Sequence, residues 1–351
     1  MLMASSPLLS EVEGLSLSKD TAQNSVYPSR LYDETRVRGN IAMPKIDDIA
    51  YVTYRCPDLD LAERFLGDFG MVRAARDENA LYMRGAGSRH HIYVARRAAT
   101  AGFDCVAFTV PSASDLAAFA ALPGAGPVAA LDEPGGGQRV TLHDPDGFRI
   151  DIVHGIAALP ELPMREPPSA NFARVKNRRG ATYRVRKGPA QILRLGHVLF
   201  KVTDFQKTFD WYTRTLGMLP SDVLVAGPEK KKLVAFLRCD RGATFTDHHT
   251  VAFAEGNQAH LHHSSFEIHD FDDQVLGHEW LTAQGWRNFW GIGRHVIGSQ
   301  VFDYWKDPFG NTVEHYADGD LFDATKEPEY FPASPEYLSV WGPPLPADFL
   351  D

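Results

Sequence analysis

The chain has 351 residues, 44% of them hydrophobic and 23% charged, and it carries a net charge of −9. That length gives roughly two domains, each able to bury a core of its own. The acidic balance argues against nucleic acid as a partner, because phosphate binding needs concentrated basic surface, and no apolar run approaches the ~20 residues of a membrane span.

Residues 1–45 read as an extension: they are polar and turn-rich, without a period and without the basic-then-apolar pattern of a signal peptide. Cys56, Cys105 and Cys239 are widely separated and odd in number. They make neither a disulfide framework nor a zinc knuckle, so a reducing cytoplasm is the expected location. From Ile46 the pattern changes. The segment 46–57 reads as a strand and Asp58–Phe69 as a short helix, with three further strands ending at 90–94. A second round starts at 103–110, continues through a helix at Ser112–Ala121 and closes on two strands joined by Asp144-Pro145-Asp146-Gly147. These two rounds form the expected domain 46–155.

Residues 156–192 carry prolines and basic groups and read as a linker. The cycle then repeats over 193–320. A strand at 194–202 leads into a helix at Asp204–Leu216 and strands to 250–254. Another strand at 261–270 leads into a helix within Phe271–Gln284 and a hairpin over Gly293–Tyr316, turned by Asp307-Pro308-Phe309-Gly310. Residues 321–351 are proline-rich and are expected to pack on the surface. The fold class is therefore α+β: two domains, each of two βαβββ modules forming a cupped sheet or open barrel.

Internal repeats are sought before anything else, because a missed repeat misassigns the whole fold. Here the register is readable. GHVLFKVTDF aligns with AYVTYRCPDL, LHHSSFEI with FDCVAFTV, and DPFGNTVEH with DPDGFRIDI. His197 thus falls against Tyr51, His263 against Cys105, and Glu314 against Asp151. Equivalent strands of a cupped sheet point alternate residues into one concavity. His197, His263 and Glu314 form a two-histidine, one-carboxylate set of the kind that holds non-haem Fe(II) and leaves one face of the metal open. The set Tyr51, Cys105 and Asp151 is a poor one for a divalent metal, so the second domain is expected to carry the site.

Three segments carry a resemblance: GHVLFKVTDFQKTFDWYTRTLGM, HTVAFAEGNQAHLHHSSFEI and GRHVIGSQVFDYWKDPFGNTVEHYAD. They resemble the vicinal oxygen chelate superfamily and, within it, the two-domain type I extradiol catechol dioxygenases, over about residues 46–320. The resemblance implies the glyoxalase/bleomycin-resistance/dihydroxybiphenyl dioxygenase fold. It implies His197, His263 and Glu314 as ligands of Fe(II), with Mn(II) accepting the same set. It also implies His249 as the acid–base group, with Tyr304 and His295 hydrogen-bonding the substrate. The implied partners are a catechol and O2, in a homo-oligomer, within aromatic compound degradation. A glyoxalase-like metal-dependent isomerase or lyase is the alternative, as is a non-catalytic binding protein on the same scaffold.

Fourteen histidines make chance clusters common, so each has a bland reading beside the functional one. His248 competes with His249 for the acid–base role. His262 is expected to face away from His263, because adjacent strand residues face opposite sides. His295 could cap a loop, and Tyr304 could be a core tyrosine with a satisfied hydroxyl. His90, His91, His143 and His154 are read as structural, and His260, His269, His278 and His315 are left without a role. Glu229–Lys232 reads as a solvated turn.

Overall fold

The computed structural model describes residues 44–167 and 169–350, so nearly all of the expected extension over 1–45 lies outside the described residues. The first round of the repeat is β1 (Asp48–Cys56), α1 (Leu59–Asp68), β2 (Val72–Arg76), β3 (Ala80–Arg84) and β4 (Tyr93–Arg97). The second is β5 (Gly102–Thr109), α2 (Ala113–Ala120), β6 (Ala129–Ala130), β7 (Gln138–His143) and β8 (Arg149–His154). Together they make one eight-stranded sheet, ordered β2-β3-β4-β1-β5-β8-β7-β6.

The third round is β9 (Ile192–Val202), α3 (Phe205–Thr215), β10 (Leu219–Ala226), β11 (Lys231–Arg238), β12 (Thr246–Asp247) and β13 (Val251–Glu255). The fourth is β14 (His260–Ile268), α4 (Phe271–Ala283), β15 (Arg287–Arg294), β16 (Val301–Lys306) and β17 (Thr312–Ala317). After them come β18 (Leu321–Phe322), paired with β12, and β19 (Glu329–Pro332). The second sheet is ordered β15-β16-β17-β14-β9-β13-β11-β10-β19. Within each round the first strand pairs in parallel with the last, and the first strands of paired rounds run antiparallel at the centre.

Each helix begins where a side-chain oxygen takes up an orphan N–H of its first turn. Asp58, Ser112, Asp204 and Asp270 all do this. Apolar strand and helix residues of all four rounds meet in one continuous core. Phe69 stands edge-on to Phe266 at 5.9 Å and stacks on the His315 ring at 3.8 Å.

The repeated turn is repeated in its bonding as well. Asp144 Oδ1 accepts from the N–H groups of Asp146 and Phe148, and Asp307 Oδ1 accepts from those of Phe309 and Asn311. Asp144 is buried, and burial pushes its carboxyl up to about 6, against the turn N–H groups that pull it down. A folded pKa above the unfolded value means stability that is present below the unfolded pKa and lost as pH rises from about 4 through about 6. Asp144→Asn keeps the Oδ1 acceptor and removes the charge. Its melting temperature should therefore vary less between pH 4 and 6 than that of the parent. At pH 7.5 it should be the more stable protein, by up to ~2–3 kcal/mol. A variant clearly less stable than the parent at pH 7.5 would refute this account.

The C-terminal segment adds a strand to the second domain before it crosses the cavity. β19 extends the second sheet, pairing in parallel with β10 from Asp222↔Glu329 to Val225↔Pro332. The residues after it fold back over the concavity of that sheet, where apolar side chains would otherwise face water. No helix among the described residues is long and apolar enough to cross a membrane.

Candidate metal centre

The ladder explains why three distant side chains share one face. On adjacent strands, His197 lies opposite Ser265 and Ser265 lies opposite Glu314, while His263 precedes Ser265 by two residues. With a side-chain period of two, all three project into the same concavity. Gly196 is required beside His197, because a Cβ there would meet the Tyr316 hydroxyl at 2.0 Å.

One ligand atom from each of His197, His263 and Glu314 lies within 4.8 Å of the others. His197 Nε2 is 3.2 Å from Glu314 Oε2, and His263 Nε2 is 3.5 Å from it. All three are buried, and neither carboxylate oxygen has a hydrogen-bond partner, so the short imidazole contacts lack hydrogen-bond alignment. A buried carboxylate in that condition is expensive unless something positive joins it. Two imidazole nitrogens and a carboxylate oxygen form the donor set that Fe(II) or Mn(II) accepts, so these residues fit a divalent cation. Burial pushes His263 well below the usual histidine range and keeps its nitrogen available as a ligand. Burial would raise the Glu314 carboxyl, but the imidazoles, His197 foremost, hold it below the usual range.

Tyr304 stands directly across the strand pair from Glu314, and its ring meets that of His263 edge-on at 5.2 Å. Burial raises its hydroxyl pKa well above the usual value, so the proton stays on. His295 follows the end of β15. Its Nδ1 donates to the Leu338 carbonyl at 2.6 Å, which leaves Nε2 to accept from the Tyr304 hydroxyl at 2.9 Å. The loop-cap reading of His295 therefore holds for one nitrogen only. The other faces the cluster.

Of the competing pair, His249 carries the ring that packs on His197, with centroids 4.1 Å apart, and it borders the cavity. His248 lies behind it, fully buried, with Nε2 2.7 Å from Asp222 Oδ2. His262 departs from expectation. The β9–β14 register slips between Leu261 and His263, and this bulge breaks the alternation, so the His262 ring also reaches the cavity. Its Nδ1 is 2.7 Å from His263 Nδ1 and its Nε2 is 2.5 Å from the Phe349 carbonyl. A period-two reading of LHHSS contains no sign of a bulge. Asp222 and Phe349 were also missed, for they are far from any motif.

The cluster forms the floor of a cavity of about 140 Å³. One wall is the apolar group Leu224, Val234, Ala254 and Ile297, with Phe236 against it. The opposite wall is Tyr304 and Phe349, packed with Trp290 and Phe302, and Leu338 borders it. Lys201 is the one Lys or Arg side chain among the lining residues described, and its ammonium donates to the Leu350 carbonyl at 2.6 Å.

The first sheet shows what the same scaffold does without the triad. Thr53 pairs with Cys105 and Ala107 with Asp151, which puts Tyr51, Cys105 and Asp151 at the positions of His197, His263 and Glu314. The Arg149 guanidinium holds Asp151 through two contacts of 3.1 and 2.7 Å, supplying the positive charge that Glu314 lacks. Burial pushes the Cys105 thiol up to about 12, so it is no thiolate ligand. Strand register also puts His91 where His249 stands, with its ring 4.7 Å from that of Tyr51. The repeated His-His pair was the available sign of this equivalence.

Residues 194–315 match the Glyoxalase/Bleomycin resistance protein/Dioxygenase superfamily. Metapyrocatechase 2 of Cupriavidus necator is 28% identical over 316 residues, covering 87% of this chain and 92% of that protein. Homoprotocatechuate 2,3-dioxygenase from Brevibacterium fuscum, solved as a substrate complex, superposes with a TM-score of 0.74 at 20% identity, over 88% of this chain and 92% of that one. The Mn(II)-bound glyoxalase from Novosphingobium aromaticivorans gives a TM-score of 0.71 at 24% identity, over 85% and 91%. Likeness to both enzymes fixes the fold and leaves the chemistry to the site.

Proposed function

We propose that this chain, which belongs to the glyoxalase/bleomycin resistance protein/dioxygenase superfamily, is an Fe(II)-dependent extradiol dioxygenase. It would open the ring of a catechol with O2 to a muconic semialdehyde-type product. The observation that carries this reading is the company His249 keeps. A neutral, buried imidazole lies against His197, beside a His-His-Glu cluster at the floor of an apolar slot. An isomerase needs the cluster and one acid–base group, but it has no evident use for the Tyr304–His295 couple beside them.

His197, His263 and Glu314 would hold the metal. When bound, the metal supplies a positive charge that lowers the pKa of catechol hydroxyls and an open face for the two substrates. Tyr304 keeps its proton, which the resting protein points at His295 Nε2; with substrate present that single O–H would turn to a substrate oxygen, and His295 holds the hydroxyl in place until then. His249, kept uncharged by burial, can take a proton at Nε2 and return it later in the reaction. The apolar walls exclude water and grip the ring by its faces. Cytoplasmic residence and self-assembly belong to the same reading.

The walls also favour an uncharged substituent. A carboxylate placed among Leu224, Val234, Ile297 and Leu338 loses its hydration without gaining a partner from those side chains; the one lining ammonium, Lys201, lies at the tail, donating to the Leu350 carbonyl. After anaerobic loading with Fe(II), catechol and alkylcatechols should consume one O2 per ring and turn yellow. A catechol bearing a ring carboxylate should be the poorer substrate, its kcat/KM lower by roughly 10²-fold, a difference of ~2.7 kcal/mol. Absence of oxygen uptake with any catechol, by protein shown to hold iron, would sink the dioxygenase reading. A preference for the carboxylated ring would sink the substituent rule alone.

A further inference from the structure

His249 is the second of two adjacent histidines, and the first makes contacts that settle where protons sit. Asp222 Oδ2 lies 2.7 Å from His248 Nε2, and a carboxylate only accepts, so that nitrogen carries the proton. With that one proton on the ring, His248 Nδ1 is left as an acceptor. His249 Nδ1 lies 3.0 Å from it and must be the donor. The lone pair of His249 is then on Nε2, the nitrogen turned away from His248 toward the cavity.

We propose that Asp222 and His248 are positioning residues that lock His249 in its Nδ1–H tautomer, presenting Nε2 to the substrate as a base. This deepens the dioxygenase reading and rests on it for its catalytic meaning, although the tautomer itself is a property of the resting protein. The line is rigidly built. His248 is 0% exposed, its carbonyl accepts from the Ser221 hydroxyl at 2.6 Å, and the rings of Phe236 and Phe322 flank it. Gly298 closes over it, where a Cβ would come within 3.1 Å of His248 Nδ1.

The duplicated half of the chain supplies an internal control. His90 and His91 make the same ring contact, Nδ1 to Nδ1 at 3.2 Å. Strand register places Ala75 at the position of Asp222, however, because Ala75 pairs with Tyr82 as Asp222 pairs with Phe236. Among the described residues, the carboxylate that ends the line at Asp222 is thus replaced by Ala75 in the first sheet. A parallel arrangement serves the ligand His263. The Phe349 carbonyl accepts from His262 Nε2–H, so His262 Nδ1 accepts from His263 Nδ1–H and His263 Nε2 stays free for metal.

The test compares four proteins: the parent, Asp222→Leu, His248→Leu and His248→Asn, whose side-chain oxygen stands near the place of Nδ1. Nitrogen-15 spectra of labelled imidazoles in the metal-free protein should show His249 protonated at Nδ1 in the parent and in His248→Asn. The two leucine variants should show a shift toward Nε2–H. Loaded with iron, the leucine variants should lose roughly 10–100-fold in kcat with KM little changed, and His248→Asn should recover at least tenfold over His248→Leu. A purely structural role would not separate asparagine from leucine in this way. His249 found as Nε2–H in the parent, or leucine variants with kcat within twofold of it, would overturn the proposal. The expected spectra without ring cleavage of any catechol would instead overturn the dioxygenase reading and leave the tautomer assignment standing.

Discussion

Glu314→Gln protein is expected to bind no stoichiometric iron and to lose roughly 10³-fold or more in kcat/KM. The amide keeps the volume and one acceptor oxygen but removes the charge that two neutral imidazoles cannot replace. Loss of the metal forfeits several kcal/mol of charge stabilisation at the reacting oxygens, and each ~1.4 kcal/mol is a factor of ten in rate. Glu314 is 0% exposed, and the imidazoles beside it hold its carboxyl below the usual range. In the variant, the rise in melting temperature that the parent shows on adding Fe(II) or Mn(II) should vanish. Metal analysis after desalting and a pair of melting curves read both outcomes. A variant that retains one iron per chain would remove Glu314 from the ligand set.

His249→Phe should separate chemistry from metal binding. The phenyl ring can keep the packing on His197, whose centroid is 4.1 Å away, and on Phe236 at 5.1 Å. It cannot move a proton. General acid–base catalysis contributes typically 10²–10⁴-fold, so kcat should fall by about that factor while iron content and catechol affinity stay near those of the parent. Burial, with His197 and His248 adding to it, keeps His249 far below the usual histidine range. It therefore starts uncharged across the neutral range. Rapid mixing of catechol-loaded protein with O2 is the direct measurement, and unchanged single-turnover rates would leave His249 a packing residue. The same experiment on His248→Phe tests the rival histidine, which sits behind the ring and should matter only through His249.

Much of the site was legible because β-structure has a short memory. A strand's side chains alternate with period two, and a duplicated module repeats its register. Three alignments, GHVLFKVTDF with AYVTYRCPDL, LHHSSFEI with FDCVAFTV and DPFGNTVEH with DPDGFRIDI, put His197, His263 and Glu314 on one concavity, and the ladder has them there. The Asp-Pro-x-Gly turns were legible for the same reason, since an aspartate bonding N–H groups two and four residues on is a local act.

What escaped was non-local, or broke the period. The bulge at His262 depends on how β14 meets β9, and it turned an expected outward residue into a cavity wall. Asp222 lies 26 residues from His248, and Phe349 lies 87 from His262. No spacing rule ties such pairs together, because the chain between them is free to take any path that packing allows.

The sequence by itself determined the repeat, the donor set and the half of the chain that holds it, all consequences of side-chain alternation and of residue chemistry. Tertiary structure alone decided that His262 reaches the cavity beside His263, and what stands behind His249. It decided which residues of the proline-rich tail line the slot, and that a carboxylate two strands away orients an imidazole. Those depend on closing the sheet into a cup, which brings distant backbone and side chains within hydrogen-bond range.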